Sequence, residues 1–322
     1  MSRTLLTTGD PNGIGPQLAV KAVAALGAQA PVVVGDATVL RGYTASAGLV
    51  IRPAEPGLEV EAGYLDLVDV GVLGDGEAAV GKVTAAAGAA TIAYAAAAVR
   101  LAQSGGYAGI VAGPHSETAV HLAGIDFAGY PPLIAELTKT PRDEVFLMLL
   151  GAGLRIVHAT LHISMAEALV RLDAGLITKA GRALHDALVS MGIENPKLGM
   201  FGINPHASEG GLFGDEDLHL AAPAARVLRA EGIDITDPIG ADVLLGDRAH
   251  DGYLAMYHDQ GHVPVKLLAG RRAAAVTIGA GVPFSSVGHG PAFDIAGTDA
   301  ADPSAILAAL ALFSDQKAEV VR

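Results

Sequence analysis

Cysteine is absent from all 322 positions, and so is tryptophan. Without thiols the chain can form no disulfide and no thiolate-bound metal site, and it suits a reducing compartment. Aromatic residues make up only 4% of the chain, which leaves little stacking surface for nucleic-acid bases. Positive charge is scarce as well. Lys and Arg number 21 against 34 Asp and Glu, a formal net charge of −13. That balance argues against nucleic acid and anionic membrane as partners. The N-terminal segment Met1-Ser-Arg-Thr-Leu-Leu-Thr-Thr-Gly9 has too short an apolar run for a signal peptide. The most apolar stretch, 85–101, is mostly alanine and falls short of the roughly 20 strongly apolar residues that span a bilayer. It reads as a buried helix, and the expected location is the cytoplasm.

What is plentiful points to a packed enzyme-sized body. Hydrophobic residues reach 51%, and there are 41 glycines. This length and composition can bury one large core or two medium ones, with two domains expected. Short β-rich runs, 5–7, 31–35, 109–112, 154–158, 197–202, 253–256 and 274–278, alternate with helical stretches near 17–27, 84–103, 165–192, 217–231 and 303–314. Such alternation predicts an α/β fold with a largely parallel sheet. Most of the polar, glycine-flanked segments follow a strand directly, where open α/β sheets bind ligands.

Three histidines stand in such segments: His162 in Thr160-Leu-His-Ile-Ser164, His206 in Asn204-Pro-His-Ala-Ser-Glu-Gly210, and His258 in Tyr257-His-Asp-Gln-Gly261. Neutral imidazole is the commonest side-chain metal ligand. Three protein ligands with an open fourth position make a catalytic metal site. His115, His121, His158, His262 and His289 are further candidates; His185, His219 and His250 lie in helical or charged stretches and read as surface. Taken singly, any one of these histidines is more often structural or merely exposed than ligating.

A glycine-rich turn, Thr8-Gly-Asp-Pro-Asn-Gly-Ile-Gly-Pro16, joins a strand to a helix. It can offer backbone N–H groups to an anion, but it is neither the dinucleotide fingerprint nor a P-loop. Four motifs then occur in order: this turn, Asn204-Pro-His-Ala-Ser-Glu-Gly-Gly211, Tyr257-His-Asp-Gln-Gly261, and His289-Gly-Pro-Ala-Phe-Asp-Ile-Ala-Gly297. Together they resemble the 4-hydroxythreonine-4-phosphate dehydrogenase (PdxA) family over essentially the whole chain. The last segment also looks like the adenosine-binding loop of isocitrate and isopropylmalate dehydrogenases.

The resemblance implies a two-domain α/β fold of the isocitrate/isopropylmalate-dehydrogenase kind, with mixed, largely parallel sheets and an active-site cleft between domains. The expected division is 1–130 plus 280–322 against 131–279. It implies an NAD(P)-dependent oxidative decarboxylase, working as a homodimer with a shared active site on a small carboxylated substrate. His162, His206 and His258 match the three metal ligands of the family, two from one subunit and one from the other. The ion is divalent: Zn, Co, Mn, Mg or Fe. Lys266 and Asp242 match its catalytic positions. Asp10, His115, Tyr130 and Lys266 are expected to contact substrate, and Gly279, His289, Gly290 and Asp294 the NAD or NADP. For Asp294 a turn-capping role is an equal alternative, and Lys266 could simply snorkel from an apolar stretch.

The chain departs from the vitamin B6 enzyme where that enzyme holds phosphate. Gly129-Tyr-Pro-Pro132 replaces a Gly-His-Thr-Glu segment, and Pro114-His-Ser-Glu-Thr118 puts Glu117 in place of a cation. Ala275 stands for an asparagine, and Pro283-Phe284 runs into Ser285 where an arginine is expected. Phosphate recognition needs charge-assisted bonds, so these losses argue against it. The replacements resemble a sister branch, the terephthalate cis-dihydrodiol (1,2-dihydroxy-3,5-cyclohexadiene-1,4-dicarboxylate) dehydrogenases of aromatic catabolism, whose product is protocatechuate. A carboxylated cyclic diol is therefore the expected substrate. The alternatives are 4-hydroxythreonine-4-phosphate or a related phosphorylated hydroxy acid, as in pyridoxine biosynthesis, and a non-catalytic metabolite-binding homologue.

Overall fold

A computed structural model describes residues 3–55, 57–127, 129–270 and 273–313. The strands are β1 Arg3–Thr7, β2 Val32–Gly35, β3 Val50–Pro53, β4 Tyr64–Asp69, β5 Tyr107–Ala112, β6 Phe146–Gly151, β7 Leu154–His158, β8 Lys197–Met200, β9 Asp234–Ile235, β10 Gly252–Ala255, β11 Ala274–Ile278 and β12 Phe284–Ser286. The α-helices are α1 Gly15–Leu26, α2 Ala37–Ser46, α3 Ala85–Gln103, α4 Glu117–Leu122, α5 Tyr130–Thr138, α6 Met165–Arg171, α7 Ala174–Ser190, α8 Ala222–Ala230, α9 Ala241–Asp247, α10 His258–Ala269 and α11 Ser304–Ala311. They form two compact units. One holds the described residues of Met1–Leu137 and Phe284–Val320, the other those of Thr138–Pro283.

In the first unit six parallel strands run in the order β3-β4-β2-β1-β5-β12. Their middle strands are buried along nearly their whole length. That is why they read as apolar runs without alternation: a parallel sheet is covered on both faces. Helix α3 is long and apolar enough to cross a membrane by length and composition, yet more than half of it is buried within the protein. Its alanines and Gly88 let it lie close to α4, since a Cβ at Gly88 would overlap the Ala119 carbonyl.

In the second unit the order is β11-β6-β7-β10-β8-β9. Strand β6 is antiparallel to both β11 and β7, and the remaining pairs are parallel. The core here gathers Leu149, Leu154, Ile156, Phe201, Leu244, Tyr253 and Val265.

Two local departures from the sequence reading have clear causes. The single helix expected over 165–192 is two, because Asp173 caps a new one: its Oδ1 accepts the Leu176 N–H at 2.7 Å. Helix α10 has no counterpart in the sequence reading, because Gly261 and Pro264 lie inside it. Both residues weaken helices, so tertiary packing of Val265 and Ala269 carries it.

Candidate active site

The second unit places its three marked histidines beyond the carboxyl ends of three neighbouring parallel strands. His162 follows β7, His258 follows β10 and His206 follows β8. The loops are tied to one another. Thr160 Oγ1 donates to Met256 O at 2.8 Å. Gln260 Oε1 accepts the Met256 N–H at 2.8 Å while its Nε2 donates to Gly202 O at 2.7 Å. Gln260 thus couples the start of α10 to the end of β8.

The rings of His162 and His258 lie 5.6 Å apart, centroid to centroid. His258 Nδ1 donates to Asp259 Oδ1 at 2.6 Å, so in the neutral imidazole the lone pair is on Nε2. A carboxylate behind an imidazole is the arrangement that orients metal-binding histidines. His262, one turn further along α10, stacks on His258 with centroids 3.7 Å apart and planes within 13°. Its Nδ1 meets His158 Nε2 at 3.1 Å, and His158 Nδ1 meets Leu147 O at 3.2 Å. A carbonyl only accepts, so His158 Nδ1 carries the proton and Nε2 is bare. His262 Nδ1 must then donate to it. Burial pushes His158 down to about 3. Burial, followed by the neighbouring His258 and Lys266, pushes His262 down to about 4. Both are neutral near pH 7, and a neutral stack does not repel a cation held by His258.

His206 is presented differently. Residues 206–210 all have positive φ, from 44° to 70°, and form a left-handed turn. For the four that are not glycine this costs about 1–2 kcal/mol each, strain of the kind that accumulates at functional sites. The His206 ring lies 6.0 Å from that of Phe213. A Cβ on Gly240 would stand 3.9 Å from His206 Cα, so the start of α9, with Asp242, packs beside this turn. Lys266 is exposed on α10 at helical spacing from His262 and His258. The start of α9 thus lies beside the His206 turn, while Lys266 follows His258 and His262 along α10. Among the described residues no group of three or more metal-ligating side chains is gathered.

In the first unit the marked residues likewise follow neighbouring parallel strands: Asp10 after β1, His115 after β5, and His289, Gly290 and Asp294 after β12. The loops dock on each other, with Ile14 N–H donating to Pro291 O at 2.9 Å and Asp10 N–H to Pro114 O at 2.8 Å. His289, Gly290 and Asp294 are exposed. His115 meets Phe127 and Tyr130 edge-on, at 5.2 and 4.9 Å between centroids, and Tyr130 packs on Phe284. Burial holds His115 below the ordinary histidine range against the nearby Glu117. Tyr130 is buried and its hydroxyl has no hydrogen-bond partner among the described residues.

Asp10 is fully buried, with Oδ1 accepting the Asn12 N–H at 2.9 Å and Oδ2 unpartnered among the described residues. Burial, opposed by the Asn12 bond, pushes its carboxyl up to about 6. A carboxyl poised there is suited to proton transfer near neutrality. It also sets a pH dependence. The folded value lies above the unfolded one, so Asp10 stabilises the fold below about pH 4 and loses that contribution as pH rises through 6. Relative to Asp10→Asn, the wild type should lose about 2 kcal/mol of stability between about pH 4 and pH 8, measured by urea unfolding. A pH-independent difference between the two proteins would show that Asp10 is not held protonated.

Gly279 has φ of 92°, and a Cβ there would overlap the Glu144 carbonyl. Packing by itself requires a glycine at this position. Sequence reading passed over Asp217, Gln260 and the orienting Asp259. Asp217 lies in the acidic run Asp215-Glu216-Asp217, which reads as a solvated face, yet it is buried.

Comparison with known proteins matches residues 27–313 to the family described as pyridoxal phosphate biosynthetic protein PdxA. The 1,2-dihydroxy-3,5-cyclohexadiene-1,4-dicarboxylate dehydrogenase of Comamonas sp. is 45% identical, covering 98% of each chain. The D-threonate 4-phosphate dehydrogenase of Cupriavidus necator is 38% identical, over 95% of this chain and 94% of that one. Among solved structures, a terephthalate 1,2-cis-dihydrodiol dehydrogenase from Burkholderia xenovorans LB400 is 50% identical with a TM-score of 0.86, covering 97% of both. With the family pattern matched over most of its length and relatives aligned nearly end to end, this chain belongs to the PdxA family.

Proposed function

We propose that this protein is a divalent-metal-dependent, NAD(P)-dependent decarboxylating dehydrogenase acting on a carboxylated cyclohexadiene cis-diol of the terephthalate dihydrodiol type, and that it works as a homodimer. The observation that carries the metal reading is the meeting of His162 and His258, the latter with Nδ1 engaged by Asp259, at the ends of two adjacent strands. All-imidazole donors suit zinc and other late first-row ions. His206 supplies the third ligand from the second subunit. Exposed apolar side chains support that assembly. Val170 is 85% exposed on α6, Leu267 is 79% exposed on α10, and Leu212 beside the His206 turn is 71% exposed. Such surface on the elements that carry the ligands suits a partner subunit.

The histidines would hold a divalent ion whose Lewis acidity would lower the pKa of a substrate hydroxyl, and NAD(P), when bound, would be the hydride acceptor. The chain's residues do the rest. Asp259 fixes the His258 ring, and His262 stacks beneath it. Lys266 offers a cation to a substrate carboxylate, and Lys266 or Asp242 carries the proton.

The substrate reading rests on the first unit. Where a phosphorylated substrate needs donors and positive charge, His115 is neutral near pH 7 and lies among the rings of Phe127 and Tyr130, with Glu117 nearby. That surface suits a carbocycle and opposes a phosphate. The relatives of the dihydrodiol type, at 45% and 50% identity, agree with it.

NADH formation with the cis-diol dicarboxylate and with 4-phosphohydroxy-threonine, each with added metal, tests the choice. The diol is expected to have a kcat/KM at least about 100-fold higher, roughly 2.7 kcal/mol of transition-state binding. Equal or faster turnover of the phosphorylated amino acid would return the chain to a phosphate substrate. Binding without turnover of either would make it a metabolite-binding homologue.

A further inference from the structure

The left-handed turn that presents His206 is gripped by a buried carboxylate that the proposed chemistry does not use. Asp217 is 2% exposed. Its Oδ1 accepts the Ile203 N–H at 2.7 Å, and its Oδ2 accepts the Asn204 N–H at 3.0 Å and the Ser208 hydroxyl at 2.7 Å. Asn204 Nδ2 reinforces the grip, donating to Ser208 Oγ at 3.2 Å and to Glu216 Oε2 at 2.7 Å. The carboxylate therefore holds the chain just before the turn and at its centre.

Two costs make this arrangement informative. Four consecutive L-residues, His206 to Glu209, sit in left-handed geometry, which a free segment does not keep. A buried carboxylate is costly unless its oxygens are hydrogen-bonded, and charge-assisted bonds are the strong ones. Here each cost is met by the other. The turn directs two amides and a hydroxyl at the carboxylate, and the carboxylate fixes the turn.

We infer that Asp217 is the positioning residue for His206: by gripping Ile203, Asn204 and Ser208 it sets the direction of the imidazole and hence the affinity of the site for a divalent metal. The inference rests on the reading of His206 as a metal ligand. Asp217 has no contact with metal or substrate in this scheme and acts only through the turn.

The test is a Zn²⁺ titration of the chelator-stripped full-length protein against a competing chromophoric chelator, using wild type, His206→Ala, Asp217→Asn and the double variant. Asp217→Asn replaces an acceptor with an amide that cannot serve all three donors. It is expected to weaken Zn²⁺ binding about 10–100-fold, the usual scale for groups that orient a ligand. In the His206→Ala background it is expected to cost nothing more, because both changes remove the same interaction. NADH affinity should stay at the wild-type value. An equal further loss in the His206→Ala background, or wild-type Zn²⁺ affinity in Asp217→Asn, overturns the positioning role and leaves the metal reading standing. Wild-type Zn²⁺ affinity in His206→Ala overturns the metal reading, and this inference with it. If Asp217→Asn does not fold, Ser208→Ala carries the same test. It removes one of the three bonds, and a loss of about 3–10-fold is expected that disappears in the His206→Ala background.

Discussion

Replacing His258 with alanine is expected to lower kcat/KM by at least about 1,000-fold, the equivalent of about 4 kcal/mol of lost Lewis-acid stabilisation. Removing the metal from the wild type by exhaustive chelation should match it. The reasons are local. His258 is the imidazole whose Nδ1 is engaged by Asp259, and its ring lies 5.6 Å from that of His162. The variant should contain less metal after purification, bind NADH as the wild type does, and unfold at nearly the same urea concentration. That last expectation follows because His258 is half-exposed in the first turn of α10 and its stacking partner there is the His262 ring. An active, metal-free wild type would remove the ion from the reaction.

Complementation between inactive variants gives an equally large contrast, because it separates two geometries that differ only in which subunit supplies each ligand. His162 and His258 come together within one chain, while His206 stands on its own turn beside Asp242. In the proposed dimer each site combines the first pair with the partner's His206. A hybrid of His206→Ala and His258→Ala subunits then contains one intact site of two and is expected to show roughly half of wild-type activity per dimer, starting from two inactive parents. A hybrid of His162→Ala and His258→Ala has no intact site and should stay inactive. Co-expression with two different affinity tags isolates each hybrid for assay. Activity in the second hybrid, or none in the first, would contradict the assignment of His206 to the opposite subunit. A fully active monomer in light scattering would remove the dimer altogether.

Much of this was legible before any coordinates. The alternation of β-rich runs with alanine-rich stretches marks β1, β2, β5, β7, β8 and β10, because buried parallel strands are continuous apolar runs, and the antiparallel β11 is marked by the same kind of run. The short strands β3, β9 and β12 carry no such signal, and the sequence reading also passes over β4 and the apolar run of β6. The pairing of β9 with β8 and of β12 with β5 depends on partners far away in sequence. The boundaries between the two units are equally silent in composition, since the chain enters and leaves each unit without a linker. Helix α10 was hidden by its own Gly261 and Pro264.

The site divides along the same line. Residue types in the sequence marked histidines 162, 206 and 258 as candidate positions, and the family resemblance added Asp242 and Lys266, because ligand chemistry is a property of the side chain itself. The expected departures from the phosphate-binding pattern also rest on single positions, Glu117 and Tyr130 among them. Only the tertiary structure decided that His162 pairs with His258 while His206 stands apart, that His262 stacks on His258 and donates to His158, and that Asp217 leaves an acidic run to grip a left-handed turn. Those outcomes depend on burial and on backbone direction at the ends of β7, β8 and β10, and neither is encoded locally. They arise when distant strands align and the remaining polar groups must find partners away from water.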